Sequence, residues 1–159
     1  MTRRYDAVIF DLFGTLVAGL GREAYHVSLR QMAVALGAPV EEFTRLWNKE
    51  TANQRLIGAL KSPEENIEYI REVLGLPPEL GRIVEAVRIR LAFYRASLTP
   101  RNETVRTLIR LRETGHRLGL ISDCSHEAPL LWPETAMAPA IDRPVFSCVE
   151  GFAKPDPRL

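Results

Sequence analysis

An apolar run, Val8 to Phe10, ends at a single carboxylate, Asp11, and a turn with Gly14 and Thr15 follows. Such a run is typical of a strand that is buried on both faces, as the strands of parallel sheets are. We therefore predict that Asp11 emerges at the carboxyl end of a strand, where open α/β sheets bind their ligands. A second interpretation, in which Asp11 only caps the helix of a strand-to-helix loop, stays open at this point.

Composition narrows the class of protein. The 159 residues suffice for one domain of ordinary size with a buried core. The formal net charge is +1, with acids and bases interspersed, so we expect a protein that binds neither nucleic acid nor membranes. Two cysteines, Cys124 and Cys148, lack metal-ligand spacing, and no secretory pattern precedes the first strand. We expect a cytoplasmic protein.

Residues 18–97 have the apolar spacing of helices. The spacing predicts four of them, and Gly37 stands where the first would end. Residues 62–65, Ser-Pro-Glu-Glu, form a capping box that would begin the third. Because apolar helix faces can cover one another, we predict a compact helical cap over this segment. The fourth helix has the most regular stripe, made of Leu80, Ile83, Val84, Val87, Leu91 and Tyr94.

Beyond residue 98 the pattern becomes that of a strand-helix-strand core. Val105 to Leu111 predict a helix, and Arg117 to Ile121 predict a buried strand that ends at Ser122. Val145 to Cys148 predict a third strand, which is followed by a loop with Lys154. The helical segment is therefore inserted between strands of one sheet.

Three polar side chains follow the predicted strand ends: Asp11, Ser122 and Lys154. They can converge, because parallel strands end at one edge of a sheet. They belong to three motifs, Asp-Leu-Phe-Gly-Thr at 11–15, Ile-Ser-Asp at 121–123 and Lys-Pro-Asp-Pro at 154–157. In the order and spacing of these motifs the chain resembles hydrolases of the haloacid dehalogenase superfamily. The resemblance implies an α/β fold, with a Rossmann-like parallel sheet core at 1–17 and 98–159 and a helical cap inserted after the first strand at 18–97.

The resemblance also implies a mechanism through a covalent aspartyl ester at Asp11. Thr15 would orient Asp11 or the departing group, and Ser122 would hydrogen-bond the anionic oxygens of a small anionic substrate. Lys154 would neutralise charge on the substrate and on the nucleophile. The predicted substrate-binding residues are Leu12 and Phe13, through their backbone amides, together with Ser122 and Asp123.

Phe13 departs from the pattern of the relatives that hydrolyse phosphate esters. Those relatives usually have a second aspartate at this position, which protonates the leaving oxygen. Halide leaves without a proton, and the dehalogenase branch places an aromatic residue there, although most characterised members act on phosphates. Both a phosphate monoester and a 2-haloacid therefore stay open as substrates. The phosphatase would need Mg²⁺, held by Asp11 and the Phe13 carbonyl, and the dehalogenase would need no cofactor. A noncatalytic phosphate-binding or interaction protein with the same fold is the alternative.

The sequence reaches Leu159 before the acidic fourth motif of the superfamily. We therefore expect a core that is incomplete at its C-terminus, and an inactive fragment of the enzyme is one interpretation. If the missing part contains the strands that flank the first strand, Val8 to Phe10 would form an apolar sheet edge. Such an edge favours pairing with a second chain or aggregation, so a homodimer is one assembly that the sequence allows.

Overall fold

Three parallel strands form the sheet of the protein, in the order β1-β2-β3. The structure is a computed structural model that describes residues 5–19 and 21–159. Phe10 pairs with Leu120, and Ser122 pairs with Phe146, so the strands end on the same side of the sheet. This arrangement confirms the predicted parallel α/β core. The strands are β1 (Ala7–Phe10), β2 (Arg117–Ser122) and β3 (Arg143–Phe146).

Helices occupy most of the chain between β1 and β2, and shorter ones surround β3. Within the described residues, no helix is both long and apolar enough to cross a membrane. The first group is α1 (Arg22–Leu36), α2 (Val40–Arg45), a π-helical turn (Leu46–Glu50), α3 (Ala52–Leu56), α4 (Pro63–Val73), α5 (Leu80–Ser97) and α6 (Thr104–Glu113). The second is α7 (Glu127–Leu131), two 3-10 turns (Trp132–Glu134 and Ala138–Ala140) and α8 (Ser147–Glu150).

Local chemistry explains where these helices begin and end. Gly37 ends α1 in the left-handed conformation, with φ 76°, which a residue with a Cβ adopts at a cost. At the start of α4, the Glu65 amide donates to Ser62 Oγ at 3.1 Å, as the capping box predicts. The second predicted helix is interrupted, because Thr51 Oγ1 bonds the carbonyls of Leu46 and Trp47 where the π-helical turn replaces α-helix.

Two clusters of buried apolar side chains divide the molecule. One surrounds the sheet, and the other lies among α1 to α5 with Phe43 and Trp47 at its centre. The chain passes from one cluster to the other within α5, since Val87 belongs to the helical cluster and Tyr94 to the sheet cluster. The predicted apolar stripe of α5 is only partly buried at its first turns, because Leu80 and Val84 are 73% and 58% exposed while Ile83 packs against the helical cluster.

The first and third strands differ from their predictions. β1 is the edge strand of the described sheet and Ile9 is 64% exposed, so burial on both faces is wrong. β3 ends at Phe146, two residues before the predicted end. The reason is that Ser147 Oγ accepts from the Cys124 amide at 3.0 Å and donates to the Cys124 carbonyl at 3.2 Å. These bonds coincide with the first turn of α8.

Candidate active site

Asp11 and Lys154 meet at the carboxyl edge of the sheet, although 142 residues separate them in the chain. Lys154 Nζ donates to Asp11 Oδ1 at 2.6 Å, and it lies 3.5 Å from the carbonyl oxygen of Ile121. The two side chains are 40% and 42% exposed. The pair therefore faces solvent and stays accessible to a small substrate, and its Coulomb attraction is partly screened.

A tight turn follows Asp11 and fixes its direction. The carbonyl oxygen of Leu12 accepts hydrogen bonds from the amides of Thr15, Leu16 and Val17 at 3.3, 2.9 and 3.1 Å. Gly14 has φ 82°, which suits glycine, and its amide donates back to the Val17 carbonyl at 2.9 Å. Leu12 itself is fully buried, so the residue that follows Asp11 is anchored in the core.

The loop that carries Lys154 is tied to the end of β2. The Lys154 amide donates to Asp123 Oδ1 at 3.0 Å, so a side chain next to Ser122 holds the loop backbone. Asp123 was predicted to bind substrate. The structure gives it this second role, as an acceptor that orients the loop.

Ser122 and Thr15 differ in their surroundings. Ser122 is 1% exposed, and its hydroxyl has no hydrogen-bond partner among the described residues. A buried hydroxyl without a partner is costly, so a ligand oxygen at this strand end would stabilise it. Thr15 lies on the exposed side of the turn, where its side chain makes no hydrogen bond within the part of the chain that the structure describes. Its predicted orienting role stays a prediction.

A pocket of about 540 Å³ opens between the helices and the sheet edge. Phe13 and Asp123 line the pocket where it reaches the sheet edge, and Tyr94 of α5 also lines it. The Phe13 ring meets Tyr94 edge-on, with 5.9 Å between centroids. Burial raises the pKa of Tyr94, so its hydroxyl is neutral at pH 7. Arg22, Arg55, Arg90 and His26 also line the pocket, among uncharged side chains.

Sequence reasoning missed an ion pair beneath this pocket. Arg90 of α5 and Glu127 of α7 are joined at 2.5 Å, with side chains 4% and 2% exposed. Burial is the largest single influence on the pKa of Arg90 and would lower it, but the charge of Glu127, the nearby Tyr94 and the hydrogen bond to Glu127 together raise that pKa. Burial would raise the pKa of Glu127, but Arg90 lowers it. The available clue was position: Arg90 lies three residues after Val87 and four before Tyr94, on the apolar stripe.

Arg55 of α3 is a second cation on the pocket wall, and it is partly buried. Its guanidinium lies 4.3 Å from the centroid of the Trp47 ring and donates to the Trp47 carbonyl at 2.8 Å. Burial, with the charge of Arg90 next, lowers the pKa of Arg55 to about 10, so it is still charged at neutral pH. No sequence pattern singled out Arg55, because its environment comes from α5 and the π-helical turn.

The residues predicted to hold Mg²⁺ offer few ligands. Residues 5–19 and 21–159 contain no group of three or more histidine, cysteine or acidic side chains that could bind a metal ion. Asp11 has one oxygen engaged by Lys154, which leaves its other oxygen and the Phe13 carbonyl. Mg²⁺ prefers six oxygen ligands, so substrate and water would have to complete such a site.

The fold is shared with solved hydrolases. A HAD family enzyme from Bacteroides thetaiotaomicron, in a magnesium complex, matches with TM-score 0.71 and 17% identity over 98% of this chain and 74% of that one. A predicted HAD-like hydrolase from Porphyromonas gingivalis matches with TM-score 0.61 and 23% identity, over 93% and 69%. An L-2-haloacid dehalogenase matches with TM-score 0.54 and 22% identity, over 96% and 68%.

Sequence comparison gives the family. No curated protein sequence is significantly similar to the chain. The sequence model of haloacid dehalogenase-like hydrolases, however, matches residues 5–159, which include all three motifs at the sheet edge. The chain therefore belongs to the haloacid dehalogenase-like hydrolases.

Proposed function

We propose that this hydrolase displaces halide from a small 2-haloacid, with Asp11 as the nucleophile. The observation that carries the proposal is the Phe13 ring, which lies two residues after Asp11 and packs on Tyr94. An apolar ring cannot protonate a leaving oxygen, and general acid catalysis is worth about 10² to 10⁴ in rate. A halide leaves as a stable anion, so its departure does not need this acid.

In the first step, a carboxylate oxygen of Asp11 attacks C2 of the haloacid. A carbon-oxygen bond forms while the carbon-halogen bond breaks, and the halide leaves with the bonding electron pair. Lys154, which touches Asp11 at 2.6 Å, reduces the repulsion between the nucleophile and the anionic substrate. The buried Ser122 hydroxyl is a donor for the carboxylate of the substrate.

In the second step, the oxygen of a water molecule attacks the carbonyl carbon of the Asp11 ester. The bond between this carbon and the substrate oxygen breaks, and the 2-hydroxy acid leaves with one proton of the water. The other proton goes to solvent, and the Asp11 carboxylate is restored. The product hydroxyl therefore contains an oxygen that came from Asp11, not from the water of the same turnover.

A phosphate monoester is the second candidate substrate. The B. thetaiotaomicron enzyme has also been solved with magnesium and inorganic phosphate, with TM-score 0.65 and 20% identity over 94% of this chain. In this chain Asp11 and the Phe13 carbonyl would hold the metal, which would neutralise charge on the phosphoryl group. The unpaired hydroxyl of Ser122 would suit a phosphoryl oxygen equally well.

A substrate panel separates these chemistries. Purified protein is given 2-haloacids and phosphate monoesters, each with Mg²⁺ and with a chelator, and halide and phosphate are measured. We expect halide release that the chelator does not change. Phosphate release that the chelator abolishes would support the phosphatase instead, and no turnover of either class would support the noncatalytic alternative.

An isotope experiment tests the ester itself. In a single turnover in ¹⁸O water with excess enzyme, we expect the label in the peptide that contains Asp11 and unlabelled oxygen in the first product. Label in the product and none in the peptide would contradict an Asp11 ester. Asp142→Asn is the matched control and should give the same labelling as the wild type. The Asp142 carboxylate accepts from the Leu118 amide at 2.7 Å, near the start of β2 and away from the candidate site at its end.

A further inference from the structure

A buried arginine, Arg90, and a partly buried one, Arg55, share one aromatic side chain on the pocket wall. The guanidinium carbons of Arg55 and Arg90 lie 4.3 and 4.9 Å from the centroid of the same Trp47 ring. Trp47 is fully buried, and both arginines line the pocket that reaches Phe13 and Asp123. Two cations thus stand close together in a poorly solvated part of the site, where repulsion between them is strong.

Their charges are incompletely compensated by the protein. Glu127 pairs with Arg90, but Arg55 forms no ion pair with a carboxylate in the described residues. Nη1 of Arg90 is buried and has no hydrogen-bond partner in the same part of the chain. A buried donor without an acceptor destabilises the protein. The pocket wall therefore holds one excess positive charge and one unused donor.

A planar carboxylate would satisfy both features. Guanidinium groups bind carboxylates through paired N–H donors, and the bond is stronger away from water. We propose that Arg55 and Arg90 form a second anion subsite, which binds a carboxylate at the end of the substrate remote from the reacting carbon.

The position of the arginines identifies the substrate class. The centroid of the Tyr94 ring lies 5.9 Å from the centroid of the Phe13 ring and 4.8 Å from the guanidinium carbon of Arg90. On the pocket wall, the Tyr94 ring therefore separates Arg90 from Phe13. In a 2-haloacid the C1 carboxylate is one bond from the carbon that Asp11 attacks, and it stays beside Asp11. The anion at the arginines is then a second carboxylate, and the substrate is a halogenated dicarboxylic acid. This inference rests on the proposed function only in that the substrate carries a halogen.

Binding of unreactive acids tests the subsite without any turnover. Succinate and butyrate have the same number of carbons, but butyrate has one carboxylate fewer. At constant ionic strength, we expect butyrate to bind about tenfold or more weakly than succinate, measured by calorimetry and by the shift of the melting temperature. Inorganic phosphate is the third probe, and it should also bind more weakly than succinate.

Arg55→Gln should abolish the preference for succinate, and Arg55→Lys should keep part of it because the charge remains. Arg88→Gln is the matched control, since Arg88 lies on α5 but is 67% exposed and pairs with Glu85. Melting without ligand shows whether each variant is folded.

Equal binding of succinate and butyrate would overturn the subsite, as would a preference that survives Arg55→Gln. Phosphate that binds as tightly as succinate would show a general anion site and would also overturn it. If succinate is preferred through Arg55 but no haloacid is turned over, the subsite stands and the proposed dehalogenation fails.

Discussion

Two ion pairs show how differently one chain uses opposite charges. Asp11 and Lys154 meet at the sheet edge, with about two fifths of each side chain exposed. Arg90 and Glu127 join α5 to α7 beneath the pocket and are almost completely buried. An exposed pair contributes little to stability and keeps its carboxylate accessible, whereas a buried pair becomes indispensable once formed, because either partner alone is a buried charge. The two pairs therefore differ in role: the exposed pair serves the proposed chemistry, whereas the buried pair stabilises the fold and holds Arg90 at the pocket wall.

The sharpest test of this comparison is Asp11→Asn. An amide is a poor nucleophile, so we expect turnover to fall by about 10³-fold or more. The free energy of unfolding should change by less than about 1 kcal/mol, because the lost ion pair is exposed. Steady-state kinetics and urea unfolding measure the two quantities. A large loss of stability in this variant would contradict the separation of roles.

Glu127→Gln should have the opposite profile. It leaves Arg90 charged and buried without its partner, and we expect unfolding to become easier by about 3 to 5 kcal/mol. Urea unfolding measures the loss. The double variant Arg90→Met, Glu127→Leu removes both charges and should regain most of the stability. If Glu127→Gln is as stable as the wild type, the pair does not join α5 to α7 as described.

The pH dependence of the same pair has a definite sign. Arg90 lowers the pKa of Glu127 below its ordinary value of 4.5, despite burial, which by itself would raise it. The stabilisation is thus present above about pH 4.5 and is lost as the pH falls through the lower folded-state pKa. We expect the stability difference between wild type and Glu127→Gln to shrink as the pH falls below 4.5. A difference that is constant from pH 7 to about pH 3 would contradict the linkage.

The smallest effect is expected at an exposed pair on the same helix. Arg95 of α5 contacts Glu134 at 2.8 Å, and the two side chains are 56% and 53% exposed. Arg95→Gln should leave the free energy of unfolding almost unchanged, because solvent screens the pair. Measured beside Glu127→Gln under the same conditions, it isolates the effect of burial. A loss as large as that of Glu127→Gln would show that burial is not the deciding factor.

Sequence reasoning was most successful where the pattern was local. The capping box at Ser62 and the end of α1 at Gly37 followed from short-range rules. The parallel pairing of the strands followed from the helical segments between them. Predictions failed where a distant element decided the outcome. β3 stops at Phe146 because Ser147 bonds the Cys124 backbone. In the first turns of α5, Leu80 and Val84 are exposed although they belong to the apolar stripe.

The candidate site divides in the same way. The motifs identified Asp11, Ser122 and Lys154, and the structure joins Asp11 to Lys154. Their catalytic roles, and those of Thr15, Leu12 and Phe13, stay predictions that the variants and the substrate panel test.

By itself the sequence determined the family, the parallel core and the acid that follows its first strand, because each depends on motif order and on apolar runs close together in the chain. Only the tertiary structure decided that Arg90 pairs with Glu127, and that Arg55 lies with it against Trp47. Side chains from three separate segments meet there, and the cost of burying a charge depends on neighbours that no local pattern specifies. For that reason the two arginines of the pocket wall had to be seen in the folded chain.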